Sequence, residues 1–248
     1  MANISQYPVA AVGAAVAALK KYGITNIELQ AAILATIAKE SAFVPKSELS
    51  YATTSNERIR TIFKTRVAAL SDAQLTTLKK DPIAFFDHLY GNRYGNNNKG
   101  DGYKYRGRGL NQITFRDNYK WIGDMIGVDL VNYPDKLNDV EVAAAAAAVY
   151  FVRFFKDGKA SGKLKSKLGI NDVSEIKDTT TAVRATIMAN AGWNTNFNTP
   201  VVQEGYKKAL EAVGDFKKKL SETLQAVSKT VSENKGATGA LILFFLGL

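Results

Sequence analysis

The chain has 248 residues, 46% of them hydrophobic, and a formal charge of +10 from 33 Lys and Arg against 23 Asp and Glu. That much apolar residue supports a packed core and excludes a disordered chain, while the basic excess either suits a polyanionic partner or serves only solubility. With no cysteine and a single histidine, His88, disulfide scaffolds, thiolate metal sites and cysteine nucleophiles are excluded, and a Ser-His-Asp triad would have to run through that one imidazole. Carboxylates remain for acid–base work, and neither a metal nor an organic cofactor is expected.

Residues 8–22 place Val, Ala and Leu at helical spacing before Gly23. No basic residue precedes this apolar stretch, so a helix rather than a Sec signal peptide is predicted. Thr25 or Asn26 caps a second helix over Glu28–Ser41, with Ile27, Ala31, Leu34 and Ala38 on one face and Glu40 near its C-terminal end. The Pro, Ser, Thr and Asn of residues 42–56 predict a loop carrying Glu48, followed by the cap of a helix over Glu57–Phe63. Residues 87–109 (DHLYGNRYGNNNKGDGYKYRGRG) are too polar and glycine-rich for a core element and read as a long shaped loop on a helical scaffold.

Helices are predicted over Phe115–Ile126 and Asp139–Phe155, the second with an alanine run, Ala143–Ala148, that permits close packing. Residues 157–178 read as a Lys, Gly and Ser-rich connector and residues 180–193 as a core helix ending at Ala191-Gly192. An amphipathic stretch runs from Pro200 to about Ser232. The last residues, Gly239–Leu248 (GALILFFLGL), are strongly apolar but only about half as long as a membrane-crossing helix, so no transmembrane span is expected. Strand signals are few and no fixed-period repeat is present, which makes the fold class mainly α.

Hydrolysis of a glycosidic bond needs one carboxylic acid to protonate the leaving oxygen and a second group to activate water. Glu40 and Glu48 are the candidates. A carboxyl ending an apolar helix is expected to be partly desolvated, which favours the neutral form that a general acid requires. For Arg93, Arg106 and Arg108 two readings stand: ties between the glycine-rich loop and helix ends, or direct substrate contacts. Tyr103, Tyr105 and Trp193 either stack on sugar faces or belong to the core, and His88 reads as a structural residue beside the loop.

Residues 102–119 (GYKYRGRGLNQITFRDNY) resemble the signature of glycoside hydrolase family 19, which includes plant-type chitinases and many phage endolysins; Tyr105, Arg106, Gly107, Arg108, Gly109, Gln112, Thr114, Asn118 and Tyr119 carry the match. AKESAF (38–43), YGNRYGN (90–96), YPDKLNDVEVAAAAAAVYF (133–151) and IMANAGW (187–193) resemble further family segments in the family's order. The resemblance spans about residues 27–213 and is closer to phage endolysins, because the plant disulfides and loops are absent. It implies a lysozyme-like helical domain over residues 1–213 with a long Gly/Asn-rich active-site loop, and a C-terminal helical tail over 214–248.

The resemblance further implies Glu40 as general acid, Glu48 as second carboxylate and Thr114 with Gln112 to position water or sugar. Tyr105, Arg108 and Asn92 join Gln112 as substrate-binding residues, and Asn190 lines the floor of the cleft. Such enzymes invert the anomeric centre. Departures are Lys39 before the acid, VPKSELSYA after Phe43, and Ala191 for a glycine; Glu57 is therefore the alternative to Glu48. An ammonium at position 39 works against a neutral neighbouring acid.

The implied function is a phage peptidoglycan muramidase, acting in host lysis or carried in the virion to breach the wall, with peptidoglycan glycan strands as partner. Chitin hydrolysis and a catalytically silent wall-binding or structural virion role are the alternatives. For the tail three readings stand, docking on phage tail or baseplate proteins, a peripheral membrane anchor, or a segment folded back on its own core, and no nucleic-acid-binding motif is present.

Overall fold

The computed structural model describes residues 7–233. In chain order its helices are α1 (Val9–Lys21), α2 (Ile27–Ser41), α3 (Asn56–Phe63), α4 (Asp72–Leu78), α5 (Pro82–Tyr90), α6 (Asp101–Lys104), α7 (Arg116–Ile126), α8 (Val140–Ala160), α9 (Lys163–Leu168), α10 (Thr179–Ala191) and α11 (Pro200–Glu233). Among the described residues there is no strand, only the isolated bridges Arg93–Asn96 and Arg108–Ile113. The fold is mainly helical, as the sequence predicts. Residues Pro45–Ala143 form one compact unit, and the described residues before and after them form another.

In the discontinuous unit, α2 packs against α1, α10 and α11, and its Leu29, Ile33, Leu34 and Ile37 are fully buried. Asn26 starts this helix: its side-chain oxygen accepts from the Leu29 amide at 3.1 Å, and its side-chain amide donates to the Ile176 carbonyl at 2.6 Å. Glu28, buried in the first turn where the helix dipole favours an anion, accepts from the Thr179 hydroxyl at 2.7 Å and pairs with Lys217. One carboxylate thus ties α2 to α10 and α11.

The other end of α2 is strained. Ala42 and Phe43 both have left-handed φ values, 51° and 57°, at a cost of about 1–3 kcal/mol each. Burying the Phe43 ring offsets this, for it lies 5.3 Å from Tyr7 and 6.1 Å from Phe216, centroid to centroid. The chain turns sharply just beyond Glu40.

Residues 157–178 depart from the predicted connector. Here α8 continues to Ala160 and is followed by α9. Trp193 holds that extension: its ring stacks on Phe154 at 4.3 Å and occupies the space that any Cβ at Gly158 would need. Leu164 is buried, and Lys159 pairs with Asp172 at 2.7 Å. Composition alone suggests a loop, whereas long-range packing makes residues 157–160 and 163–168 helical. Similarly, α11 runs without a break through the boundary expected at 213/214, with Val213 and Phe216 buried. The apolar segment Gly239–Leu248 lies outside the described residues.

The second unit is built on an aromatic core. Ile59, Val67, Leu75, Phe85, Phe86 and Leu89 are buried together, with Tyr51, Phe63, Tyr90 and Tyr103 packed at their edge. Each fully buried large side chain contributes about 1.5–3 kcal/mol. Three short helices feed this core, and each has its own start signal. Ser55 caps α3, Ser71 and Gln74 form a reciprocal capping box on α4, and Asp81 caps α5 with Pro82 in the first turn.

Candidate active site

Glu48 follows Pro45 into the second unit, and its position is fixed from both sides of the backbone. Its amide donates to the Gly107 carbonyl at 2.7 Å, and the Arg106 Nε donates to its own carbonyl at 3.0 Å. The carboxylate is half-buried and receives the Tyr51 hydroxyl at 2.9 Å, the Tyr90 hydroxyl at 3.1 Å and the Gly107 amide at 3.3 Å. Burial pushes the Glu48 carboxyl above its ordinary value, against the opposing pull of these donors and of Arg106. Both tyrosines are pushed upward as well, by burial first and then by the Glu48 charge, so they stay protonated donors. A carboxylate so held can take up a proton closer to neutrality than an ordinary glutamate.

The Gly/Asn-rich loop beside it is fastened by its own side chains. Asp87, in the last turn of α5, accepts from the amides of Gly100, Gly102 and Tyr103 at 2.5, 2.9 and 3.4 Å. A Cβ at Gly102 would collide with the Phe86 carbonyl, so glycine is required where α6 crosses α5. Asn96 is fully buried: its amide group donates to the Tyr90 carbonyl at 3.0 Å and its oxygen accepts from the Arg116 amide at 2.9 Å. Tyr90 is thereby set by the loop as well as by α5.

Gln112 lies on the turn closed by the Arg108–Ile113 bridge, and Thr114 follows that turn directly. Gln112 has φ 53°, and its Nε2 donates to the Lys46 carbonyl at 3.0 Å and the Gly109 carbonyl at 3.2 Å. A Cβ at Gly107 would lie 2.8 Å from Gln112 Oε1 and 3.3 Å from Glu48 Oε2, so Gln112 and Glu48 flank one glycine. Thr114 donates its hydroxyl to the Gln112 carbonyl at 3.1 Å. Glu48, Gln112 and Thr114 are therefore gathered on one face of this unit.

Other expected residues stand elsewhere. Tyr105 is core: 2% exposed, edge-on to Tyr119 at 5.3 Å and donating to the Val131 carbonyl. Arg108, 3% exposed, donates to Asp135 at 2.8 Å, to the Lys104 carbonyl at 2.6 Å and to the Tyr119 hydroxyl at 3.0 Å. Both are corrections to a substrate-binding role, because neither side chain has a free face. Asn92 is exposed at φ 55°, its amide closing a turn to Asn96. Glu57 is exposed in the first turn of α3 without the surroundings that Glu48 has.

Arg93 lies over Phe115 and Arg106 over Tyr103, at 5.1 and 4.1 Å from the ring centroids, which ties the loop cations to rings. His88 contacts the Arg66 carbonyl at 2.8 Å, a structural tether. Tyr51, Tyr90, Asp87 and Asn96 are the residues that sequence reasoning missed. A Tyr in the Glu48 segment and the Tyr-Gly-Asn start of the loop were visible signals, but the 42-residue separation of Tyr90 from Glu48 hid the contact.

In the other unit, Glu40 and Asn190 line an open cavity of about 580 Å³ between α2, α10 and α11. Glu40 is exposed, which corrects the expectation of a partly desolvated acid: its helix is buried, but its own position faces outward at the last turn.

A helical scaffold holding a half-buried, donor-rich carboxylate beside a pinned glycine-rich loop is of the lysozyme-like kind. Residues 87–184 match the sequence model of the family Chitinase class I, glycosyl hydrolase family 19, which supports a domain of that family in this part of the chain. The match includes Tyr90, Gly107, Gln112 and Thr114 and stops short of Asn190. The chain is 36% identical over 116 residues to a glycosyl hydrolase family 19 domain-containing protein of Haemophilus influenzae, covering 43% of this chain and 55% of that protein. It is 45% identical over 47 residues to Chitinase 11 of Oryza sativa subsp. japonica, covering 19% and 18%. Thus the chain spans about half the length of the first relative and less of the second. Among the described residues no helix is long and apolar enough to cross a membrane.

Proposed function

We propose that this protein is a glycoside hydrolase acting on the glycan strands of bacterial peptidoglycan, a muramidase that inverts the anomeric centre. The observation that carries the reading is the Glu48 carboxylate, half-buried and held by Tyr51, Tyr90 and the Gly107 amide beside the family-matched loop. Glu40 gives its proton to the leaving glycosidic oxygen. Glu48 takes a proton from the water whose oxygen bonds to the anomeric carbon, and Gln112 and Thr114 orient that water. Asn190, beside Glu40 in the same cavity, contacts the sugar. The charge of +10 suits an anionic wall better than uncharged chitin.

A phage lysis or wall-penetration protein is the biological setting we propose, on the resemblance of the motif set to phage endolysins. Chitin hydrolysis is the second reading, favoured by the similarity to Chitinase 11 of rice. Incubation with purified peptidoglycan and with chitin separates the two: muramic-acid reducing ends, identified by mass spectrometry, support the muramidase, whereas turnover of chitin alone overturns it.

A further inference from the structure

The cavity beside Glu40 has a lining that a sugar ring alone does not account for. Ala35, Ala38, Ile187, Val202, Ala209 and Ala212 present alkyl groups to it from α2, α10 and α11, beside the polar Thr36 and Thr195. Pyranose subsites favour an aromatic face free to stack and several convergent hydrogen-bonding groups. The two rings that reach this cavity, Tyr7 and Phe216, are stacked on each other at 6.1 Å and 16°, so one face of each is already used. At about 580 Å³ it falls in the range that holds a small ligand.

Its charges are uneven. Lys39, Glu40 and Lys208 line it. Lys208 is matched by Glu204 at 2.6 Å on its own helix. Lys39 is exposed and has no ion-pair or hydrogen-bond partner among the described residues. One cation next to Glu40 is thus available to an anion that enters an apolar cavity.

We infer that this cavity binds the acidic peptide stem that muramic sugars carry on their lactyl ether, with Lys39 reading a stem carboxylate. Alanine methyls of the stem lie against the alanine and valine walls, and the carboxylate meets the Lys39 ammonium at the rim. The inference rests on the peptidoglycan reading and deepens it: chitin has no stem, so the cavity distinguishes the two polymers. Lys39, a departure from the histidine of the resembling motif, becomes a specificity residue.

The test is equilibrium binding of the full chain to a disaccharide–tripeptide muropeptide and to stem-free glycan of the same sugar length. The wild type is expected to bind the muropeptide about tenfold more tightly, as one charge-assisted contact allows. Lys39→Gln loses that preference, Lys39→Arg keeps it, and added salt erodes it in the wild type. Equal binding of both ligands by the wild type, or a full preference retained in Lys39→Gln, overturns the inference. Hydrolysis of the stem-free strands is scored separately: their cleavage with no stem preference leaves the glycosidase reading standing and removes this one.

Discussion

The two proposed catalytic carboxylates sit in opposite kinds of surroundings. Glu48 is half-buried, receives three donors, and lies on a backbone tied to Gly107 and Arg106. Glu40 is exposed at the end of a mostly buried helix, lining a cavity beside Lys39, which has no ion-pair partner among the described residues. For Glu48, therefore, proton affinity is set by a shell of named side chains. The position of Glu40 is set instead by the buried length of α2 and the strained turn at Ala42-Phe43. Substitutions around Glu48 should alter pH behaviour, while those around Glu40 should alter what is bound.

The largest expected effect breaks both sides at once. Glu40→Gln and Glu48→Gln each lower turnover of peptidoglycan by about 10²–10⁴-fold, the usual contribution of a positioned acid or base, measured as release of reducing ends. Gly107→Ala comes next, because its Cβ meets Gln112 Oε1 at 2.8 Å and Glu48 Oε2 at 3.3 Å. Displacing the carboxylate by a few tenths of an ångström or more lowers kcat roughly ten- to a hundredfold, with KM little changed.

Arg108→Leu tests the correction made for that residue. It orphans the Lys104 carbonyl, takes one donor from the Tyr119 hydroxyl, which keeps its bond to the Arg106 carbonyl, and removes a buried guanidinium. Urea unfolding should show a loss of about 2–4 kcal/mol, and a mere substrate contact would show none.

Tyr90→Phe sharpens the contrast without disturbing the core, since the ring keeps its stacking on Phe86 at 5.9 Å. The lost hydroxyl was holding the Glu48 carboxyl down. The acid limb of the kcat/KM profile therefore moves to higher pH, whereas substitution at Lys39 leaves that limb in place.

The smallest effect is on stability. Because burial raises Glu48, its neutral form is favoured in the folded protein. The stability present below the ordinary carboxyl range is lost as pH rises through the raised value. Glu48→Gln should accordingly melt higher than wild type at pH 8 and no higher at pH 3, by calorimetry.

Much of this was legible in the residue pattern, and for physical reasons. The α2 stripe of Ile27, Ala31, Leu34 and Ala38 needs only helical periodicity, and the caps at Asn26 and Ser55 act over three residues. The gathering of Glu48, Gln112 and Thr114 followed from a motif resemblance rather than from local chemistry. Tyr51 and Tyr90 escaped because hydrogen bonding to Glu48 is decided by the core that carries them. Tyr105 and Arg108 look like ligand-binding residues in a polar loop, yet such a loop needs its own buried anchors, and they supply them. No element was predicted for residues 64–86, although Ser71 with Gln74 and Asp81 before Pro82 are start signals of α4 and α5.

The central claim, a glycosidase working through two carboxylates of unlike surroundings, is tested most directly by digesting purified peptidoglycan with wild type, Glu40→Gln and Glu48→Gln and identifying the products by mass spectrometry. The account predicts muramic-acid reducing ends from the wild type and almost none from either folded variant. Undiminished cleavage by either variant, or intact strands after wild-type treatment, would contradict it.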